Sequence, residues 1–371
     1  MEGIRQITPY LAQLGVQTTV ACLDPSESPW LHGQSFSSVG YGPVLSGYGY
    51  IKGLPKKIFE LANQHDIVII HGIWQYHSIA AWRALRNTQI PYFVYPHGML
   101  DPWFKRTYPL KHLKKSVYWP WADYRVLRDA NAVLFTSEQE RLLARQSFRL
   151  YQANECVIGY GASSAPSIGN VNSDLLFQRF PQLRGKRIFL FLGRIHPKKG
   201  IDLLIHSFSE LAHIDSRLHL VVVGPDQLGW QRSLQQLAST LSVGDRITWT
   251  GMLSGDLKWS AYRAAELFCL PSHQENFGIA VAEALACGLP VMVAYPVNIS
   301  TEVETAGAGL VHHDNQRSTT EALRRWLSMT QKCQALMGHR AHQLFDSQFN
   351  LASVSQHLLA RMEQTLHPST I

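Results

Sequence analysis

Two hydrophobic patterns alternate along the chain. Short, continuously apolar runs end in Gly, Ser or Pro, and longer stretches between them repeat apolar residues at helical spacing. In the first half the runs predict strands at Thr18–Leu23, Asp66–His71, Tyr92–Pro96, Ala132–Ser137 and Glu155–Ile158. In the second half they predict strands at Arg187–Gly193, Leu218–Gly224, Ile247–Gly251, Leu267–Pro271, Pro290–Ala294 and Gly309–His312. Most are apolar throughout rather than alternating, as in parallel strands covered on both faces. The helical stretches between them imply right-handed crossovers. Each half therefore reads as a doubly wound α/β domain.

Between the halves, Gly161–Asp174 is rich in Ser, Gly, Ala and Asn and has no periodicity, as a linker would. The expected domains are residues 1–165 and 175–345. The tail from His342 to Leu366 reads as helical, and residues 346–371 are expected to pack back on the first domain. Two such domains facing across a cleft would line it with the carboxyl ends of their strands, where open α/β sheets bind ligands.

Composition narrows the function classes. The 371 residues suffice for two domains at roughly 100–200 residues each. With 46% hydrophobic and 16% charged residues the chain can bury sizeable cores. No apolar run nears the ~18 residues of a membrane-spanning helix. Met1-Glu2-Gly3-Ile4-Arg5 does not read as a signal peptide. The five cysteines lack CxxC spacing and read as reduced thiols of a cytoplasmic protein. A net charge of +7 favours anionic partners such as nucleotides, phosphates or an acidic membrane surface, without a nucleic-acid motif.

Two segments of the second half carry candidate chemistry. Gly193-Arg194-Ile195-His196-Pro197-Lys198-Lys199-Gly200 follows a predicted strand and sets Arg194, Lys198 and Lys199 between two glycines. Arg grips phosphate oxygens in pairs and Lys adds a point charge beside them. An ordinary basic surface loop is the plainer alternative. In Pro271-Ser272-His273-Gln274-Glu275-Asn276-Phe277-Gly278 a loop holds Glu275, and a helix is expected to start near Phe277. Amides at that helix start suit a diphosphate, and Gly278 permits close approach of a ligand. Glu283 lies on the same helix among Ala, Val and Leu, where it needs a polar partner such as a ribose diol.

Glu275 and Glu283 form E-x7-E, with Asn276-Phe277-Gly278 after the first Glu and G-R-x-x-x-K-K-G upstream. Together these resemble the retaining glycosyltransferases of family four, which have the GT-B fold, over nearly the whole chain. His97-Gly98-Met99-Leu100-Asp101-Pro102-Trp103 and Thr136-Ser137-Glu138-x-Glu140 also match patterns of that family. The resemblance implies that Arg194 and Lys199 hold the diphosphate of a nucleotide-sugar donor. It places Glu275 against the donor sugar with Asn276, Phe277 and Gly278 beside it, Glu283 on the ribose, and His97 across the cleft as a catalytic residue. His71 and His273 are further candidates. It also implies transfer with retention. The absence of Asp-x-Asp leads us to expect no metal and no cofactor. The expected acceptor is a glycan, a lipid-linked sugar or a small molecule, in polysaccharide or glycolipid synthesis.

Family members open with a strand and a glycine-rich loop before a helix like Glu2–Leu14. That strand and loop are expected to be missing here, which leaves open a catalytically inactive nucleotide-sugar binding protein or partner subunit. Another GT-B enzyme, such as an epimerase, is the weaker alternative. Finally, Trp103–Arg128 mixes Lys105, Arg106, Lys111, Lys114, Lys115, Arg125 and Arg128 with Trp103, Tyr108, Tyr118, Trp119 and Trp121. This composition suits an anionic membrane surface or a lipid-diphosphate acceptor, so contact of residues 103–128 with the inner face of the membrane is expected. A solvated basic helix is the alternative.

Overall fold

The computed structural model describes residues 2–167, 169 and 171–367. Residue 1, positions 168 and 170 of the expected linker, and the end of the expected tail at 368–371 lie outside the described residues. Two compact units divide the chain. One runs to Tyr160 and takes in the chain from Leu351 onward, and the other spans Gly161–Asn350.

The first unit has two parallel ladders. β1 (Thr19–Pro25) pairs with β2 (Ser37–Gly42), and β3 (Val68–His71), β4 (Tyr92–Tyr95), β5 (Ala132–Phe135) and β6 (Glu155–Val157) form a sheet in that order. β1 and β3 are not hydrogen-bonded to each other. A bond of 2.9 Å between His65 Nε2 and Thr19 Oγ1 ties the start of β1 to the turn before β3. Successive residues of β4 serve opposite faces, because strand side chains alternate. Tyr92 and Val94 join Ile79, Trp82 and Val126 in one core, whereas Phe93 and Tyr95 join Leu11, Val354, Leu358 and Met362 in another. The second core is closed by helices Glu2–Gln13 and Leu351–Leu366, so the end of the chain completes the first unit.

The second unit is a six-stranded parallel sheet. Its strands are β7 (Arg187–Leu192), β8 (Leu218–Val223), β9 (Ile247–Gly251), β10 (Leu267–Leu270), β11 (Val291–Ala294) and β12 (Gly309–His312). The order β12-β11-β10-β7-β8-β9 changes its direction of growth between β7 and β10, the switch point of a doubly wound sheet. Every residue of β8, β10 and β11 is buried, which explains their apolar runs, broken only by His219 in β8, hydrogen-bonded to Thr248 Oγ1 at 2.8 Å.

The structure departs from the sequence reading in two places. β2 was not expected, because Ser37-Ser38-Val39-Gly40-Tyr41-Gly42 lacks an apolar run. The boundary expected at Gly161–Asp174 falls after Tyr160, and the described part of that segment is held by hydrogen bonds. The Arg263 guanidinium donates to the carbonyls of Pro166, Ser167 and Val171, Ala162 N donates to Phe349 O, and a helix starts at Asp174. The tail is not one helix. Gln331–Leu344 runs into a π-turn at Phe345–Phe349, and Asn350 leaves helical geometry before Leu351–Leu366 begins. Phe345 and Phe349 are buried at this break.

Leu358, only 2% exposed, bridges the returning helix to the first unit's sheet. Leu358→Ala should cost about 2–5 kcal/mol of unfolding free energy, read as a lower denaturation midpoint of the full chain.

Candidate functional site

In the second unit the candidate residues gather where β7 and β10 end. The β7 loop is anchored on the neighbouring strand, with Gly193 N donating to Val223 O and Ile195 N to Pro225 O. His196 Nδ1 accepts from Lys198 N at 3.0 Å and closes a tight turn, and Gly200 follows with φ 66°. Gly200 is required twice over: by that φ, and because a Cβ there would run into the Pro271 carbonyl. Gly224 is required because a Cβ would collide with the Gly193 carbonyl. The β10 loop leans on the β7 loop. His273 N donates to Lys198 O at 2.8 Å and Ser272 Oγ to the same carbonyl at 3.0 Å.

These contacts bring Lys199 Nζ onto Glu275 Oε2 as an ion pair. Both side chains are mostly shielded, at 14% and 20% exposure, so water screens the pair weakly. The backbone of Glu275 is fixed as well, its N donating to Pro296 O and its O accepting from Asn298 N. Asn298 Nδ2 donates to Asn276 Oδ1 at 3.3 Å. Phe277 is buried edge-on against Phe349, and Gly278 at φ 79° caps helix Ile279–Ala286. Arg194 is exposed. His273 Nδ1 is hydrogen-bonded to the Asp314 carboxylate at 2.9 Å.

The buried Glu283 has protein partners, where the sequence reading supplied a ribose. Lys258 Nζ donates to Oε1 at 2.6 Å and Tyr262 Oη to Oε2 at 2.9 Å. Beside its carboxylate, burial raises the Tyr262 phenol well above its ordinary range, so the phenol stays a donor. Lys258 and Tyr262 escaped the sequence reading because their helix, Gly255–Ala264, lies in a different segment and carries no motif.

In the first unit His97 follows β4 with φ 50°, a strained backbone for a residue with a side chain. A buried carboxylate holds that turn. Glu140 Oε1 accepts from Gly98 N at 2.5 Å, and Oε2 accepts from Thr136 N at 2.8 Å and Thr136 Oγ1 at 2.6 Å. This gives the Thr136–Glu140 motif a structural role that the sequence left open. The His97 ring stacks on Tyr95 and on His71, and His71 Nδ1 lies 2.9 Å from His97 Nε2. Burial lowers His71 to about 3, with the neighbouring His97 as a lesser cause, and lowers His97 to about 4. Both rings are therefore neutral near pH 7, one nitrogen donating to the other. His97 and the Lys199–Glu275 group belong to different units.

Comparison with known proteins matches each half of the chain to a glycosyl transferase model. A model of "Glycosyl transferases group 1" matches residues 173–342, and a model of "Glycosyl transferase 4-like domain" matches residues 2–161. A D-inositol 3-phosphate glycosyltransferase of Nocardia farcinica is 36% identical over 132 residues, 34% of this chain and 29% of that protein. The chain thus matches under a third of the length of such curated relatives. Sucrose-phosphate synthase from Thermosynechococcus elongatus shares the fold with TM-score 0.74 and 18% identity, covering 99% of this chain and 93% of that one. Anabaena HepE in complex with UDP-glucose does so with TM-score 0.75 and 17% identity, covering 96% and 93%.

The two histidines make stability pH-dependent. Below about pH 6.5 the unfolded chain takes up protons that the folded imidazoles, with their lowered values, refuse. Stability should therefore fall as pH drops from about 6.5 toward 4, by up to about 1.4 kcal/mol per pH unit for each histidine. Urea unfolding across that range should show the loss, and His71→Asn should make it shallower without abolishing it, since His97 and His219 also have lowered values.

Proposed function

We propose that this chain, which belongs to the glycosyl transferases group 1 family, moves a sugar from a nucleoside-diphosphate sugar to an acceptor hydroxyl, with retention and without a metal ion. The observation that carries the reading is the Lys199–Glu275 pair at the β7/β10 switch point, beside the N-terminus of helix Ile279–Ala286. Crossing the switch point, a diphosphate meets the Lys199 ammonium, the Arg194 guanidinium and the amides near Phe277 and Gly278. When the diphosphate draws Lys199 to itself, the Glu275 carboxylate is released to face the cationic sugar carbon. Glu283, held by Lys258 and Tyr262, keeps lone pairs free for the ribose hydroxyls.

In the transfer step the bond from the anomeric carbon to the phosphate oxygen breaks, and a bond from that carbon to the acceptor oxygen forms on the same face. The departing phosphate takes the acceptor's proton. Lys199 and Arg194 offset the charge growing on the leaving group, the role a divalent cation otherwise fills. The acceptor class is a glycan or a lipid-linked sugar in polysaccharide or glycolipid synthesis.

A panel of nucleotide sugars screened for thermal stabilisation should identify the donor. With that donor, Lys199→Ala and Glu275→Ala should each lower kcat by about 10²–10³ while the fold persists; rates near wild type in either would remove the proposal. Stabilisation without turnover on any acceptor would replace transfer by binding. EDTA should leave the rate unchanged, and loss restored by Mn²⁺ would instead put a metal at the diphosphate.

A further inference from the structure

Helix Pro109–Tyr118 faces the wrong way for a surface bathed in water. Its inward side is polar. The His112 ring stacks on Phe148 with centroids 4.7 Å apart, the Lys115 ammonium lies 4.3 Å over the Trp74 ring, and Tyr118 Oη meets Tyr48 Oη at 2.8 Å. No residue of this helix is buried. Its apolar residues point outward: Leu110 is 82% exposed, Leu113 64% and Val117 70%. Spaced i, i+3, i+7, these three and Lys114 share an arc of about 100° on the helix.

A single exposed leucine needs no explanation, but a stripe of them bordered by cations does. Lys105, Arg106, Lys111 and Lys114 are all exposed around the stripe. No Asp or Glu lies between Asp101 and Asp123 to neutralise them. Asp123 is buried and turned inward, accepting from Trp74 N and Ser78 Oγ. The protein covers its polar helix face and leaves the apolar, cationic face to water.

Charge decides what fits. A second copy pairing through this face would bring like charges together, at a cost. A nucleic acid would neutralise the lysines but leave the leucines wet. An anionic bilayer satisfies both, with headgroups for the cations and the acyl boundary for the apolar stripe. We propose that this face seats the protein on an anionic lipid bilayer, with Leu110, Leu113 and Val117 inserted and Lys105, Arg106, Lys111 and Lys114 on the headgroups.

The test is co-sedimentation of the full chain with phosphatidylcholine vesicles, with and without phosphatidylglycerol. Binding to the anionic vesicles should be stronger by about tenfold or more and should weaken with salt. Lys111→Glu with Lys114→Glu should lower it by about tenfold or more. Leu110→Ser with Leu113→Ser should leave only weak binding that salt removes. Thermal melts check that these exposed substitutions keep the fold. Equal binding to neutral and anionic vesicles, binding to neither, or wild-type binding by both variants would overturn the proposal. So would self-association that the leucine substitutions abolish, which would assign the face to a second copy.

Discussion

The second unit's site rests on one relation of strands: β7 lies between β10 and β8. In a parallel sheet all carboxyl ends share one edge. The chain builds outward from β7 to β9, then returns to place β10 on the other side of β7. Lys199 and Glu275, far apart in sequence, meet only because their loops leave neighbouring strands. The approach is close enough that the Lys198 carbonyl accepts two hydrogen bonds from the β10 loop, and Gly200 has no room for a side chain. Small changes in this packing would therefore reach the ion pair directly.

The first unit reaches order at His97 by different means. There a strained backbone is held by a buried acid whose two oxygens collect three donors. Hydrogen bonds to a charged group contribute about 1.5–3 kcal/mol each, enough to offset the about 1–3 kcal/mol cost of one left-handed residue. One site is shaped by missing side chains, the other by a side chain that replaces backbone partners.

Much of the fold was legible because burial on both faces leaves a strong trace. The apolar runs marked every strand except β2, whose serines and glycines pair only with β1. The positions of Lys199 and Glu275 after strands were legible in the sequence, but the ion pair between them was not. The partners of Glu283 were not, since Lys258 and Tyr262 meet it through tertiary packing. The boundary at Gly161 was legible in composition, but not the hydrogen bonds that fix that segment, because Arg263 donates them from a distant helix without a local signature. Composition showed that residues 103–128 are basic and aromatic, but not which helix face meets the protein.

The return of helix Leu351–Leu366 to the first unit sets the order in which that unit can mature during synthesis. Phe93, Tyr95 and Leu134 leave the ribosome before the second unit is made, yet Val354, Leu358 and Met362, which cover them, leave only after it. Roughly 190 residues of the second unit come between, which at about 5–20 residues per second is on the order of ten seconds or more. Throughout that interval an apolar sheet face stands open. The first unit's core can therefore close only once helix Leu351–Leu366 has emerged, after the whole of the second unit.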